Sequence, residues 1–267
     1  MITTIPIYLI DAFTDQPFKG NPAGVVLLEK PASEKWMQNV AMEMNQAETA
    51  FVVPLEKGYS LRWFTPTVEV DLCGHATLAA ASILWRLHKL PKTETISFDT
   101  RSGWLHCTRH DETIQLDFPA KRVEACDPPL GMILSMHLSD FTCYSNKMDY
   151  MIVVKDEGIV RAMEPDFIKL AQVACRGVIL TAASTAEDYD FISRFFAPAS
   201  GILEDPVTGS AHCALGPYWA EQLGKTKLRG YQASKRGGYV NVEVNDNRVL
   251  LRGKAVTFMK GEIRSEG

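Results

Sequence analysis

Two stretches of the chain place an acid and a glycine just ahead of an apolar, Ala-containing run. They read VDLCGHATLAA at 70–80 and LEDPVTGSAH at 203–212. If each run is a helix, its first turn carries unsatisfied N–H groups and partial positive charge. A glycine there lets an anion approach the backbone closely. Two such ends suit a small carboxylate ligand, although acids and turn formers also cap ordinary helices. Side chains able to handle a proton or a developing charge stand close by: Cys73, His75, Asp205 and Ser210. A lone His or a capping Asp serves equally well as a structural residue. Glu48 lies in NQAET with Ala47 before it and Ala50-Phe51-Val52 after it. An apolar flank raises a carboxyl pKa toward the range that general acid–base work needs. A surface Glu at the start of a strand would look the same. Asn21, in GNPAG, is either a turn residue or a lining residue of the same site.

The elements that must position these residues come in duplicate. Arg62-Trp63-Phe64-Thr65-Pro66 aligns with Arg194-Phe195-Phe196-Ala197-Pro198, 132 residues later. Gly74-His75-Ala76 aligns with Gly209-Ser210-Ala211, and Arg101-Ser102-Gly103-Trp104-Leu105 with Arg236-Gly237-Gly238-Tyr239-Val240, both at 135. Matched blocks in one order at nearly one offset mark an internal repeat. The expected halves are 1–122 and 123–267. Strands are expected at Ser60–Thr65 and Phe191–Phe196, and hairpins across Arg109–Glu112 and across Asn245-Asp246-Asn247. Helices are expected at Thr77–His88 and Ala211–Leu223, apolar over most of their surface and therefore buried. Glu34–Met44 and Asp166–Cys175 read as more peripheral helices. Each half is thus an α+β lobe, a curved sheet enclosing one helix, with the site expected in a cleft between the two.

Composition narrows the function. The 267 residues are 46% hydrophobic and 22% charged, with a net charge of −4. That describes a globular protein with a sizeable core and gives no reason to expect a nucleic-acid or membrane partner. The six cysteines are scattered without a C-x-x-C pair, which argues against zinc knuckles and thioredoxin-like chemistry. No apolar run reaches the roughly 18 residues of a membrane span. The N-terminal segment does not read as a signal peptide. A reduced, cytoplasmic protein with free thiols and no bound metal is expected.

The segments GNPAGVV (20–26), NQAETAFV (45–52), WFTPTVEVDLCGHATLAAA (63–81), RFFAPASGILEDPVTGSAH (194–212) and KRGGYVNV (235–242) resemble the PhzF family. These are phenazine-biosynthesis-like isomerases with the diaminopimelate epimerase fold. The resemblance runs in order over nearly the whole chain. It implies two lobes with a buried helix in each, isomerisation without a cofactor, and a homodimer. It also implies that Glu48 is the acid/base and that His75, Asp205 and Ser210 contact the substrate. Backbone groups near Gly74, Gly209 and Ser210 would then hold a carboxylate, with Asn21 in the same cleft. Many relatives carry Ser where this chain has Ala47.

Two alternatives stand beside this reading. Epimerases and racemases of the same fold use two cysteines, one at each helix start, as a thiol/thiolate pair. Cys73 occupies the first place, but the repeat puts Thr208 in the second, and a hydroxyl is too weak an acid to replace a thiol. Cys213, a turn further on, is expected in the core. The counterpart of Glu48 falls in Gly177-Val178-Ile179-Leu180, where no group titrates. A binding protein that has kept the cleft without catalysis is the other alternative.

Overall fold

The computed structural model describes residues 4–265 apart from 89 and 92. The first part of the chain forms β1 (Thr4–Ala12), β2 (Asn21–Leu27), α1 (Glu34–Met44), β3 (Glu48–Pro54), β4 (Tyr59–Phe64), β5 (Glu69–Val70), α2 (Gly74–His88), β6 (Ile96–Thr100), β7 (Gly103–His110) and β8 (Thr113–Pro119). Next come β9 (Glu124–Ala125), α3 (Leu130–Met136), β10 (Thr142–Ser145), β11 (Asp149–Val153), α4 (Glu157–Ala162), α5 (Phe167–Leu170), β12 (Gly177–Ala183) and β13 (Phe191–Phe196). A 3-10 turn, Pro198–Ser200, precedes α6 (Gly209–Leu223), β14 (Lys227–Gln232), β15 (Gly238–Asn245), β16 (Arg248–Gly253) and β17 (Ala255–Arg264).

Two units result. One gathers residues up to Asp117 and those from Arg252 onward, and the other is Phe118–Leu251. The repeat leads one to expect a single cut near 122. The chain instead returns to its first unit at the end, because β17 pairs antiparallel with β1 from Thr4↔Arg264 to Ala12↔Ala255.

The duplicated sequence folds into duplicated pairings. In the first unit β2 and β3 are parallel, β3 and β4 antiparallel, β4 and β6 parallel, and β6 and β7 antiparallel. In the second unit β11, β12, β13, β14 and β15 repeat that series. Registers agree as well. Thr49↔Phe64 and Tyr59↔Phe98 correspond to Val178↔Phe196 and Phe191↔Gly230. Asp111 and Asp246, at the tips of the two expected hairpins, both adopt the left-handed conformation, with φ of 51° and 49°.

Each unit is layered about its sheet. In the first, α2 packs against β1, β2, β3 and β17, and nearly every residue from His75 to Trp85 is buried. Leu87, expected on the buried surface, is exposed where the helix runs out. The opposite face of the sheet carries α1, with Met37 and Ala41 against Ile7, Val26, Phe51 and Phe64. In the second unit α6 packs on β14 and β15, while α3, α4 and α5 cover β11–β13 through Met132, Val160, Leu170, Ile152 and Leu180. Pro217 lies inside α6 and cannot bond the carbonyl four residues back. The Lys121 N–H fills that gap, donating to the Cys213 carbonyl at 2.9 Å.

One expected element is much shorter than its sequence implies. Asp166–Cys175 contains only the single turn Phe167–Leu170, capped by Asp166. Leu170 and Val173 must both reach the core, and the Arg176 N–H bonds the Met148 carbonyl to enter β12. The chain therefore turns through Val173 and Cys175 instead of continuing as a helix.

Candidate active site

β3 begins at Glu48, and side chains on a strand alternate between faces. Phe51 belongs to the core beneath α1, so Glu48, Ala50 and Val52 face the α2 side. β2 runs parallel alongside, with Ala23 opposite Glu48 and Asn21 two residues earlier. Glu48 Oε2 lies 3.3 Å from His75 Nε2, the second residue of α2. His75 Nδ1 lies 3.2 Å from the amide nitrogen of Asn21. An amide nitrogen can only donate, so with Asn21 in this orientation a neutral ring carries its proton on Nε2, the nitrogen nearer Glu48.

Burial pushes the His75 pKa down to about 3, so the ring is neutral near pH 7. With the ring neutral, the Glu48–His75 contact is a 3.3 Å approach of a carboxylate oxygen to an uncharged imidazole, not an ion pair. Cys73 Sγ completes the cluster, 3.5 Å from Nδ1 and 4.0 Å from Nε2 of His75. The Cys73 carbonyl accepts from the Thr77 N–H at 3.1 Å and from its hydroxyl at 2.6 Å, which fixes the start of α2 at Gly74. The Glu48 side chain keeps 14% of its surface exposed and His75 6%, although the Glu48 Oε2 that faces His75 is itself buried. Glu48, Cys73 and His75 also offer three ligand atoms within 4.8 Å of one another, a grouping that could hold a metal ion.

The second unit builds its helix start differently. Thr208 precedes α6, but its hydroxyl turns away from the helix and donates to Asp205 Oδ2 at 2.5 Å. The Thr208 N–H donates to Gln232 Oε1 at 2.8 Å, and the Gln232 amide donates to the Asp205 carbonyl at 2.7 Å. Gly209 opens the helix. Ser210 Oγ accepts from Arg176 at 2.9 Å. The same guanidinium grips both carboxylate oxygens of Asp149 and lies 5.4 Å over the Phe195 ring. Further along, His212 Nδ1 donates to the Thr208 carbonyl at 2.8 Å, and burial lowers its pKa to about 4. Cys213 is a core thiol, as expected, with burial pushing its pKa up to about 12.

The candidate residues thus fall into two groups, one per unit. Asn21, Glu48, Cys73, Gly74 and His75 share the first; Asp205, Gly209 and Ser210 share the second. Corresponding strands show how the groups differ. Gly177 pairs beside Asp149 as Glu48 pairs beside Ala23, so Gly177 stands in the place of Glu48. A Cβ there would come within 2.3 Å of the Phe195 ring. Arg176, one residue earlier, reaches the helix start at Ser210, as Glu48 reaches His75. The residue reading missed Arg176, Asp149 and Gln232. Extending the repeat one residue back from Gly177 exposes Arg176; no sequence signal marks Gln232.

Known proteins match this arrangement along its length. The profile of the phenazine biosynthesis-like protein family (PhzC-PhzF) matches residues 10–261. An uncharacterized isomerase of Halalkalibacterium halodurans is 49% identical over 98% of this chain and 99% of its own. The crystal structure of a PhzF-family protein from Enterococcus faecalis superposes with a TM-score of 0.93 at 43% identity, covering 98% of this chain and 99% of that one. A hydroxyproline epimerase from Agrobacterium vitis, solved with trans-4-hydroxy-L-proline bound, has a TM-score of 0.63 at 9% identity, over 99% of this chain and 94% of its own. That last likeness speaks for a shared fold alone.

Proposed function

Since the chain belongs to the phenazine biosynthesis-like protein family and is an isomerase of that family, we propose that it moves a proton between two carbons of a small carboxylate substrate, without a cofactor, using Glu48 as the acid/base. The observation that carries this reading is Glu48 Oε2 at 3.3 Å from a neutral His75 Nε2, at the start of a buried helix. As a carboxylate, Glu48 takes a proton from one carbon, and the electron pair left behind spreads into the conjugated substrate. As a carboxylic acid, it returns that proton to another carbon. The His75 N–H first holds the carboxylate in place and then stabilises negative charge as it develops. The first-turn N–H groups of α2, next to Gly74, anchor the substrate carboxylate. Asn21 keeps His75 in its donating tautomer.

The lack of an acid at the position that matches Glu48 favours this reading. Gly177 replaces Glu48 in the second unit, so one group both takes and returns the proton. The rival is a two-thiol racemase, favoured by the buried Cys73 beside His75. Its second thiol would stand at Thr208, a hydroxyl already donating to Asp205.

The test begins with a panel of small unsaturated and amino carboxylates in deuterated water, scored for label uptake. On a substrate so found, Glu48→Gln should lower turnover by on the order of 10²–10⁴ while binding largely survives. Cys73→Ser should lose little. An active Glu48→Gln beside a dead Cys73→Ser would overturn the mechanism in favour of the racemase.

A further inference from the structure

We infer that Glu48, Cys73 and His75 form a binding site for a borderline-soft divalent cation, Zn2+ above all, and that its occupancy blocks proton transfer at Glu48. The donor set is one carboxylate oxygen, one sulfur and one imidazole nitrogen, all within 4.8 Å of one another. Tetrahedral zinc, with bonds of roughly 2.0–2.3 Å, places its ligand atoms about 3.3–3.7 Å apart. Oε2 of Glu48 and Nε2 of His75 already stand at 3.3 Å, and Cys73 Sγ is 4.0 Å from that nitrogen. The sulfur also lies 3.5 Å from Nδ1, so Cys73 must change rotamer to swing round to the Nε2 side, while Glu48 is already in reach. Thiolate with imidazole disfavours magnesium and calcium, which want oxygen ligands only.

Three protein ligands leave a fourth position for water, on the side where Glu48 is partly exposed. The outer shell can adapt too. With the metal on Nε2, the His75 ring proton moves to Nδ1. Turning the Asn21 amide over then presents its oxygen to that N–H, the usual support for a metal-bound imidazole. Binding releases the Cys73 thiol proton to solvent. It also takes the Glu48 lone pair that the acid/base step needs. The cation is thus an inhibitor of the proposed reaction.

The experiment needs no substrate. The full chain is stripped with a chelator and titrated with Zn2+ against a chromophoric zinc chelator, and in parallel with Co2+ by absorption. One Zn2+ should bind per chain, and Co2+ should show a sulfur-to-metal charge-transfer band. Cys73→Ser should abolish that band and weaken Zn2+ by more than the roughly 10–100-fold typical of an outer-shell change. Glu48→Gln should weaken Zn2+ as well, and Cys126→Ser should leave it unchanged. Circular dichroism confirms that each variant is folded. Binding that survives both Cys73→Ser and Glu48→Gln, or no saturable binding by the parent chain, overturns the site. Either result leaves the acid/base reading to its own test.

Discussion

Each buried helix carries an imidazole near its start, and both are neutral near pH 7. Burial lowers His75 to about 3 and His212 to about 4, from an ordinary value of 6.5. The unfolded chain protonates both as pH falls through 6.5, while the folded chain holds out until about 4 and below. In that window the unfolded state binds more protons, so stability rises with pH. The contribution is complete above about pH 6.5 and is lost as pH falls from there toward 4. Each such histidine adds a slope of up to about 1.4 kcal/mol per pH unit. His212→Gln should therefore be less stable than the parent at pH 7, yet lose less on acidification. Urea unfolding at pH 7, 6 and 5 measures this; equal slopes in parent and variant would refute it. The identities of Glu48, Cys73 and His75 could be picked out from their local motifs. The state of His75 could not, because its tautomer depends on Asn21, far away in sequence. Arg176 escaped for a similar reason: it and its partners Asp149 and Ser210 lie in three separate segments.

Elements with strong local signals were legible. Glu34–Met44 and Phe191–Phe196 form as expected, the first from its Ser33 cap and helical apolar stripe, the second from an unbroken β-forming run. Elements whose register depends on distant partners were not. β1 and β17 were not expected, and β17 alternates poorly because much of it is exposed. The link that delivers Asn21 to His75 is equally tertiary. Gly20 stands just before β2 with φ of +64°, and a Cβ there would meet the Ala12 carbonyl oxygen at 2.1 Å. Since Ala12 pairs with Asn21, the obstruction is backbone and cannot step aside. Gly201 also has positive φ, +82°, but open space around it. Gly201→Ala should cost about 1 kcal/mol, the conformational penalty alone. Gly20→Ala should cost about 2–3 kcal/mol or more and also displace Asn21. Urea unfolding of the two variants gives the comparison. Losses of the same size would show that the close approach at Gly20 has no structural weight.

At the scale of the molecule, the repeat was visible because each half carries its own copy of the strand–helix–hairpin series. The discontinuity of the first unit was hidden, since only pairing reveals where the last strand goes. That discontinuity orders folding. In the second unit, β11 meets β12 through Asp149↔Gly177, a short closure. In the first, Thr4↔Arg264 closes nearly the whole chain. Closure entropy grows with the logarithm of length, so the longer closure costs about 2 kcal/mol more. Folding the second unit first reduces that cost. Its two ends are brought side by side, with the Ala120 N–H donating to the Asn247 carbonyl at 2.8 Å and Arg122 reaching the Asp246 carbonyl at 3.1 Å. The loop left for β1 and β17 is then roughly halved, and each halving returns about 0.6 kcal/mol. Long-range pairings form late when closure must precede their stabilising contacts. During refolding from urea, pulsed hydrogen exchange should therefore find amides of β11, β12 and β13 protected before those of β1 and β17. Protection of β1 and β17 in the same phase as β11–β13, or ahead of it, would mean that the termini meet before the second unit is in place, and the closure argument would fail.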